Sequence, residues 1–314
     1  MRNKKLEGNI AMGISKTFSG LNMNALKFLL PTWMAPLTGV TLRVAFGATA
    51  FWIVGCFSKK EPKTTLRQKI YMFILGAIGI YGFMMTYLMG LKYTTPISSS
   101  IFLALIPLWV FIVTVIFYSE KLTWMKAIGL SIGLGGALLS MTAKRDPSIA
   151  SDPLLGDLLT LASSVIYALY LIYSHQLLKH VGVISLLKWT FLGATFSSVI
   201  VNLFTGWDAR VLQLPIDWLA LSILLFVLLF PTVVSYLLLP IGLKYLNTTV
   251  VAMYGYIIIV VATIVALIVG QDKFNWIQII SILFLCVGVY FVERGESAEK
   301  KKNQLTEGHQ LKGN

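Results

Sequence analysis

Residues 90–141 read GLKYTTPISSSIFLALIPLWVFIVTVIFYSEKLTWMKAIGLSIGLGGALLSM, and residues 242–293 repeat this pattern at a constant offset of 152 residues without a gap. Both copies open on Gly-Leu-Lys-Tyr, and later matched positions include Lys121/Lys273, Trp124/Trp276 and Gly136/Gly288. Four consecutive identities followed by in-register Lys and Trp about thirty residues later are hard to obtain by chance. A long internal repeat is therefore the first feature to explain.

Each copy of the repeat contains two apolar runs separated by a short polar break. The runs are 97–118 and 124–141 in the first copy, and 248–270 and 276–292 in the second. Apolar runs of about twenty residues, with at most one charge near an end, match an α-helix that crosses a hydrocarbon layer ~30 Å thick. The repeat is therefore predicted to be a membrane-spanning unit.

The composition points to the same class of protein. The chain is 57% hydrophobic and 12% charged, with a mean hydropathy of +0.78, which is too apolar for a soluble domain of 314 residues. The net charge of +13 does not indicate nucleic-acid binding, because the basic residues lie between apolar spans. Cys56 and Cys286 lie inside apolar runs, so we interpret them as core residues and predict neither a metal site nor a cofactor.

The whole chain divides into ten predicted spans of this kind. The predicted fold class is an all-α integral membrane protein with ten transmembrane helices in two inverted five-helix repeats. The predicted domains are 1–148, 149–295 and a disordered cytoplasmic tail at 296–314, which is polar and low in aromatic residues. The spans are 9–30, 34–57, 70–91, 97–118, 123–142, 155–174, 183–204, 216–239, 247–270 and 275–292.

The distribution of Lys and Arg predicts the orientation. With the N-terminus in the cytoplasm, eighteen basic residues fall on the inner side and five in the outer loops. This positive-inside bias predicts a multi-pass protein of the cell membrane with both termini in the cytoplasm. Because five crossings per repeat is an odd number, the second repeat enters the membrane from the opposite face. That is the inverted arrangement of secondary transporters, whose substrate site lies near the midplane between the halves.

These residues also carry a family resemblance. The opening Gly-Leu-Lys-Tyr, the serines 98–100, Pro107, Glu120 and the Gly-rich helix that follows resemble the EamA-type drug/metabolite transporters. The second copy departs from this pattern at Ile259 and Asp272. The resemblance implies alternating access through a central cavity lined by spans 1–4 and 6–9, with spans 5 and 10 at the periphery.

Span 1 carries a stripe of polar and small residues at helical spacing: Asn9, Gly13, Lys16, Gly20, Asn24 and Lys27. We expect such a stripe to face protein or water, because a Lys or Arg at the bilayer centre costs about 2.5–3.5 kcal/mol. Lys16 and Asn24 are therefore candidate substrate-binding residues, as is Arg43 in span 2. The alternative for the lysines is snorkelling toward the nearer membrane surface.

All thirteen acidic residues fall in loops, tails or span ends, so no carboxylate is predicted at mid-depth. Coupling through a mid-membrane acidic proton relay or sodium site is therefore not expected. If Lys16 or Arg43 faces the cavity, the transported molecule should supply the missing negative charge as a carboxylate or phosphate.

Other candidate substrate-binding residues are polar or aromatic side chains within spans. They compete with an alternative role in hydrogen bonds between helices, worth ~0.6 kcal/mol on average. Pro107 and Pro231 are candidate hinges, because proline removes a backbone hydrogen bond and bends a helix. The further binding candidates are Thr86, Ser98, Phe102, Tyr167, Tyr170, Ser235 and Tyr254.

A small-residue stripe in span 5, formed by Gly129, Gly133, Gly136 and Ser140, leaves two interpretations open. It either seats span 5 on its own bundle or forms a homodimer contact.

The predicted function is a secondary transporter or exporter of a small organic metabolite, such as an amino acid or organic anion, and not an enzyme. A membrane-embedded enzyme is the rival class, but His175, His180 and His309 have no acidic partner at ligand spacing. A channel or scaffold would give no reason for two pseudo-symmetric halves with central polar residues. The expected partners are a small-molecule substrate and the lipid bilayer, with no nucleic acid.

Overall fold

The structure, a computed structural model, describes residues 2–58, 61–62, 64–118, 123–245 and 254–310. The polar break at 119–122 and the predicted beginning of span 9 at 246–253 lie outside the described residues. Within the described ranges the chain forms helices and turns and no strand. The helices are α1 Arg2–Leu29, α2 Pro36–Phe57, α3 Leu66–Leu75, π1 Gly76–Ile80, α4 Tyr81–Tyr93, α5 Pro96–Leu103, α6 Ile106–Tyr118, α7 Trp124–Met141, α8 Pro153–Leu177, α9 Val183–Thr205, α10 Trp218–Val227, π2 Leu228–Val234, α11 Ser235–Tyr245, α12 Gly255–Val269 and α13 Trp276–Gln310.

In the described part of the chain, seven continuous helical runs are long and apolar enough to cross a membrane. Two shorter apolar helices follow them, Gly255–Val269 and Trp276–Val292. The structure therefore has the all-α, multi-pass membrane character that the composition predicts, while the count of ten crossings stays a prediction. The seven runs are Pro36–Phe57, Leu66–Tyr93, Pro96–Phe117, Trp124–Met141, Pro153–Leu177, Val183–Thr205 and Trp218–Leu239.

Local sequence fixes where many of the helices begin. Five helices in the described ranges start with a side chain that accepts a hydrogen bond from the backbone N–H three residues later. Helix α9 follows Gly182 instead, and Glu61 supplies its cap by accepting hydrogen bonds from the N–H groups of Ile184 (2.6 Å) and Ser185 (2.7 Å). The five caps are Thr65, Thr95, Thr123, Asp152 and Asp217.

The connections between helices gather at two ends of the bundle. One end, the Arg145 end, holds connections 30–35, 94–95, 142–152, 206–217 and 270–275. Backbone and side-chain hydrogen bonds join these loops, for example from Ala35 N–H to Asp208 O (3.0 Å). The opposite end, the His175 end, holds the described parts of connections 58–65 and 178–182.

Helix packing follows a reciprocal pattern between the two halves of the chain. Helix α1 packs on α11 and α12 of the second half, and α8, the first helix of that half, packs on α4, α5 and α6 of the first half. Helix α2 packs on α9, and α7 packs on α13. Each helix contact thus has an equivalent contact in which the helix from the first half is replaced by its counterpart in the second half, and the reverse.

Two π-helical turns interrupt long helices at matched positions. π1 begins at Gly76 and π2 at Leu228, which are separated by the same 152 residues as the sequence repeat. π1 packs on α9 and π2 packs on α2, so their surroundings also exchange between the halves. At Gly76 a Cβ atom would lie 1.8 Å from the carbonyl oxygen of Thr190, which explains the need for glycine at this contact.

Both candidate hinge prolines lie where helices are interrupted. Pro231 is inside π2, and Pro107 is the second residue of α6, just after the break at Ala104 and Leu105 that ends α5. A proline has no N–H for the preceding turn, so the hydrogen-bond ladder is lost at these places. The predicted interruption of both helices is confirmed, and their role as hinges stays a prediction.

Helix α13 differs from the sequence expectation, because it continues to Gln310. Residues 296–310, for which composition predicted disorder, are helical. The polarity of this segment comes largely from Glu, Lys and Gln, which are also strong helix formers, and the segment directly extends an existing helix.

The small-residue stripe of span 5 packs against α13 of the same chain. A Cβ at Gly129 would lie 2.5 Å from Gly288 O, and one at Gly136 would lie 2.9 Å from Ser281 O. At Gly288 a Cβ would lie 2.4 Å from Gly133 N, so the two backbones are in direct contact. Of the two interpretations, the structure supports seating on the bundle, because this stripe is already covered and not free for a second copy.

We predict that Gly288→Leu lowers the free energy of unfolding by roughly 1–3 kcal/mol, because the added side chain overpacks the contact between α7 and α13. Thermal unfolding of the purified protein in detergent measures the effect. Gly135→Leu is the control, since a Cβ at Gly135 meets nothing within 4 Å. Equal melting temperatures for the two variants would contradict the assigned packing.

Candidate functional site

Arg43 is a buried cation on α2, in the interior of the bundle. Its side chain is on α2, only 4% of the residue is exposed, and its Nε donates a hydrogen bond to Thr232 Oγ1 at 3.2 Å. Within the described part of the chain, its Nη atoms make no hydrogen bond or ion pair. Each Nη carries two N–H groups, so four N–H donors of this buried guanidinium are free for a ligand.

The position of Thr232 follows from the proline before it. Pro231 cannot donate to the carbonyl of Val227, which a normal helix would pair with residue 231. The Thr232 hydroxyl donates to that carbonyl at 2.9 Å, and its oxygen accepts the Arg43 hydrogen bond. The proline thus leaves the Val227 carbonyl without its usual donor, and the Thr232 hydroxyl donates to it. The same hydroxyl oxygen accepts the hydrogen bond that positions Arg43.

Aromatic side chains surround this cation. Tyr87 and Tyr236 lie within electrostatic range of Arg43. Tyr236 packs edge-on against Phe191, with ring centroids 5.1 Å apart. The Tyr87 hydroxyl is buried without a hydrogen-bond partner in the described structure, so a second polar group near Arg43 is unpaired.

Two predicted site residues, Tyr167 and Tyr170, extend the aromatic wall on α8. Their rings are stacked with centroids 5.8 Å apart, and Tyr167 lies 4.4 Å from the ring of Phe83. A cavity of about 60 Å³ begins at these tyrosines and Tyr236 and extends toward the His175 end. Its volume is enough for a few water molecules. The other residues that line it are Leu171, Ser174, His175, Leu178, Val183, Leu186, Leu187 and Leu239.

The side chains near Arg43 have the chemistry that suits a ligand with an anionic group and an apolar or aromatic part, and Arg43 itself is not among the residues that line the described cavity. The guanidinium can pair with a carboxylate or phosphate in a bidentate geometry, and tyrosine hydroxyls can donate to it. Among the residues that the structure describes, no group of three or more His, Cys, Asp or Glu side chains could hold a metal ion.

The span 1 stripe faces the second half of the chain, as predicted for a stripe that avoids lipid. The Asn24 amide donates to Ala262 O on α12 at 3.2 Å, and a Cβ at Gly20 would contact Val261 at 2.8 Å. Lys16 is half-buried in the same helix, and no described residue pairs with its ammonium.

Ser235 and Tyr254 also lie at the surface where α1 meets the second half. Ser235 and Ser15 form two hydrogen bonds with each other. Ser235 Oγ donates to Ser15 O at 3.3 Å, and Ser15 Oγ donates to Ser235 O at 3.2 Å. A Cβ atom at Gly13 would lie 3.9 Å from the ring of Tyr254. These residues, like Asn24, join helices, and their role in binding stays a prediction.

Ser98 belongs to a buried ionic network at the Arg145 end. Asp157 Oδ1 accepts hydrogen bonds from the hydroxyls of Ser98 and Thr94, each at 2.7 Å. Arg145 Nη1 lies 2.8 Å from Asp157 Oδ2, and both side chains are almost fully buried. Arg145 Nη2 also donates to Ser98 Oγ (2.9 Å) and Ser140 O (2.8 Å). Of the residues in this network, only Ser98 was selected from the sequence, and the network itself was not predicted.

Further polar contacts close the Arg145 end. Lys27 donates to the carbonyls of Leu91 (3.0 Å), Lys92 (3.3 Å) and Thr94 (2.5 Å), so it caps the C-terminus of α4. Gln271 Nε2 donates to Asn24 O at 2.9 Å. The sequence left two alternatives for Lys27, which were facing the cavity and snorkelling to the membrane surface. The structure shows a third role, in which Lys27 caps the end of a neighbouring helix.

Two carboxyl groups in the loops at this end have shifted pKa values. Hydrogen bonds from Lys273 and Ser148 lower the pKa of Asp146, and the Lys273 ammonium lies 2.6 Å from its carboxylate. Burial raises the pKa of the Asp272 carboxyl, against hydrogen bonds from Thr95 and the Lys273 backbone. The Asp146 pair joins the loop after α7 to the loop after α12.

The remaining candidates lie away from Arg43's contacts. The Thr86 hydroxyl donates to Gly82 O and Phe83 O of its own helix. Phe102 is fully buried in a second apolar cluster, with neighbours such as Leu105, Leu285 and Val289. Tyr236 therefore links Arg43 with Tyr167 and Tyr170, while the other candidates make contacts between or within helices.

The candidate residues named from the sequence do not include Tyr87, Tyr236 or Thr232. The signal for Thr232 was local, because a hydroxyl one residue after a mid-helix proline can satisfy the carbonyl that the proline frees. For Tyr87 and Tyr236, spacing within a single helix does not show which tyrosines meet an arginine on another helix.

In class, the protein is a multi-pass helical membrane protein with a buried cation, an aromatic wall and a cavity toward one end. The EamA-like transporter family model matches residues 6–142 and again 154–294. The chain therefore belongs to the EamA-like transporter family.

Individual relatives agree with this assignment. The chain is 26% identical over 275 residues to the uncharacterized transporter YyaM of Bacillus subtilis (strain 168), covering 87% of this chain and 88% of that protein. It is 32% identical over 145 residues to the WAT1-related protein At5g07050 of Arabidopsis thaliana, covering 43% of this chain and 36% of that one. A solved crystal structure superposes with a TM-score of 0.59 over 93% of this chain and 96% of that chain, and at 16% identity this likeness concerns the fold.

We predict that Asp157→Asn lowers the free energy of unfolding by about 3–5 kcal/mol, because it leaves the buried Arg145 guanidinium without its counter-charge. Thermal unfolding of Asp157→Asn, Arg145→Gln and the double variant forms a double-mutant cycle. The double variant should be less destabilised than the sum of the single variants. Strict additivity would mean that the two side chains do not stabilise each other.

Proposed function

We propose that the protein is a secondary transporter or exporter of a small organic metabolite that carries a carboxylate or phosphate, in the cell membrane. The observation that carries this proposal is Arg43, a buried guanidinium whose Nη donors are unused within the described chain. A buried, unpaired cation is costly. A transported anion would supply the missing charge each time it binds.

The proposed architecture is ten crossings in two inverted repeats. Three observations support it: the sequence repeat at an offset of 152, the two family matches at 6–142 and 154–294, and the reciprocal helix contacts. The π-turns support it independently, because they begin at the same offset. In this architecture the domains are residues 1–148 and 149–295, with the Arg43 site between them.

The proposed mechanism is alternating access. The Arg145 end is closed by the Arg145–Asp157 network, the Lys27 cap and the Lys273–Asp146 pair. The cavity extends from the tyrosines to the opposite end. Movement of the helix segments on either side of Pro231 and Pro107 would close this cavity and open the other end, because the hydrogen-bond ladders are already interrupted there.

The proposed orientation places the His175 end and both termini in the cytoplasm. It rests on the excess of Lys and Arg on that side, eighteen against five. In this orientation the cavity faces the cytoplasm. A homodimer through the span 5 stripe is not part of the proposal, because α13 covers it.

Two other classes, a membrane-embedded enzyme and a channel or scaffold, have less support. An enzyme would need a catalytic cluster, and the described cavity residues offer one His, His175, at its mouth. A channel would show flux without saturation, whereas a carrier shows saturable counterflow.

We predict that Arg43→Gln reduces counterflow of the anionic substrate at least tenfold, because the variant loses the charge that pairs with the substrate. Metabolites in cells and medium, with and without the protein, would first identify the substrate. Purified protein in lipid vesicles would then give the initial rate of exchange. Lys16→Gln tests the second candidate cation in the same assay.

Two variants serve as controls for the Arg43 experiment. Arg43→Lys keeps the charge and should retain part of the exchange, while Arg210→Gln removes an exposed arginine and should leave it unchanged. Wild-type exchange by both Arg43→Gln and Lys16→Gln would refute the proposed anion site.

We predict that reporters fused to the N- and C-termini both report the cytoplasm, because the proposed number of crossings is even. A reporter inserted in the loop 142–152 should lie on the opposite side, since that loop belongs to the Arg145 end. Termini on opposite sides of the membrane would show that the inverted five-plus-five arrangement is wrong.

A further inference from the structure

Two lysines and two tryptophans form a cluster on the surface of the bundle, near the His175 end. Trp52 of α2 and Trp189 of α9 pack edge to face, with ring centroids 5.5 Å apart. Lys188 Nζ lies 5.1 Å from the Trp52 ring centroid, and Lys69 Nζ lies 5.6 Å from that of Trp189. We call these four residues the Lys-Trp cluster. It brings together three helices, because Lys69 is on α3.

The two lysines of the Lys-Trp cluster lack an acidic partner within the described residues. Glu61, the acid in the connection between α2 and α3, is already engaged, because its oxygens accept from Ile184 N, Ser185 N and Ser185 Oγ (2.6 Å) at the start of α9. A ring face contacts an ammonium from one side only. Further N–H donors on each lysine therefore remain available to an anion.

The surroundings of the Lys-Trp cluster are apolar and exposed. Along α2, Ile53 is 55% exposed and Phe57 80%, and at the start of α3 Leu66 is 72% exposed and Ile70 52%. Such side chains face lipid in a membrane protein, and Trp is enriched where the hydrocarbon meets the headgroups. The Lys-Trp cluster thus combines cations at headgroup depth with an apolar surface beside them.

We propose that the Lys-Trp cluster binds an anionic phospholipid, with Lys69 and Lys188 on the lipid phosphate and the tryptophans against its glycerol and upper acyl chains. A lipid fits better than a soluble anion, because the cations stand beside lipid-facing side chains. Charge complementarity favours an anionic headgroup over a zwitterionic one, whose own cation would meet the two lysines. The lipid would join α2, α3 and α9, and this inference does not depend on the transported substrate.

The test uses the full-length protein, purified and fully delipidated in a neutral detergent. Thermal unfolding is measured with added phosphatidylglycerol, phosphatidylcholine or inorganic phosphate, and retained lipid is counted by native mass spectrometry. We expect phosphatidylglycerol to raise Tm by several degrees more than phosphatidylcholine. The double variant Lys69→Gln/Lys188→Gln should lose most of this difference and retain fewer anionic lipids.

The matched control is Lys92→Gln/Lys144→Gln, which removes the same charge at the Arg145 end. It should keep the wild-type response to phosphatidylglycerol. An unchanged response in Lys69→Gln/Lys188→Gln would overturn the proposal, as would an equal loss in the control variant. An equal rise in Tm with inorganic phosphate alone would identify a soluble-anion site and overturn the assignment to lipid.

Discussion

The hydrogen bond between Arg43 and Thr232 is the interaction on which the candidate site depends. A guanidinium this deeply buried costs free energy unless polar groups receive it. Here the acceptor exists because Pro231 breaks the backbone ladder and Thr232 repairs it with its hydroxyl. The irregular turn of the second half therefore fixes a charged side chain from the first half. Any movement of that turn would move the guanidinium with it.

Arg145 and Arg43 both have buried guanidinium groups, and their environments are opposite. Arg145 is paired with the Asp157 carboxylate, Ser98 and the Ser140 carbonyl. Arg43 has one hydroxyl and nearby phenol rings, with no carboxylate beside it in the described chain. A cation paired with a carboxylate stabilises one arrangement of helices. An unpaired one is suited to a partner that comes and goes.

Sequence alone predicted the helical membrane class and the break in each proline-containing helix, and the structure confirms both. These two predictions succeed because membrane helices have a clear length and polarity signal, and because a proline removes a backbone hydrogen bond. Sequence also selected Arg43, Tyr167 and Tyr170, and their role in binding stays a prediction. The Arg145–Asp157 pair was missed, since Arg145 lies in the loop after α7 and Asp157 near the beginning of α8, where charges are usually solvated. Ser98 was selected for its polarity, which does not distinguish an interior ligand from a partner of Asp157. Contacts between helices that are distant in sequence are set by tertiary packing. The spacing of residues within one helix does not show which residues of another helix they contact.

The matched π-turns carry a record of the protein's history. A π-turn accommodates one more residue than the regular turn around it. Both halves have the turn at equivalent places, and the halves align without a gap. An irregularity shared at the same position of both copies is most simply explained if it was present before the copies separated. Pro231 and Thr232 then mark a difference between the copies at this shared turn.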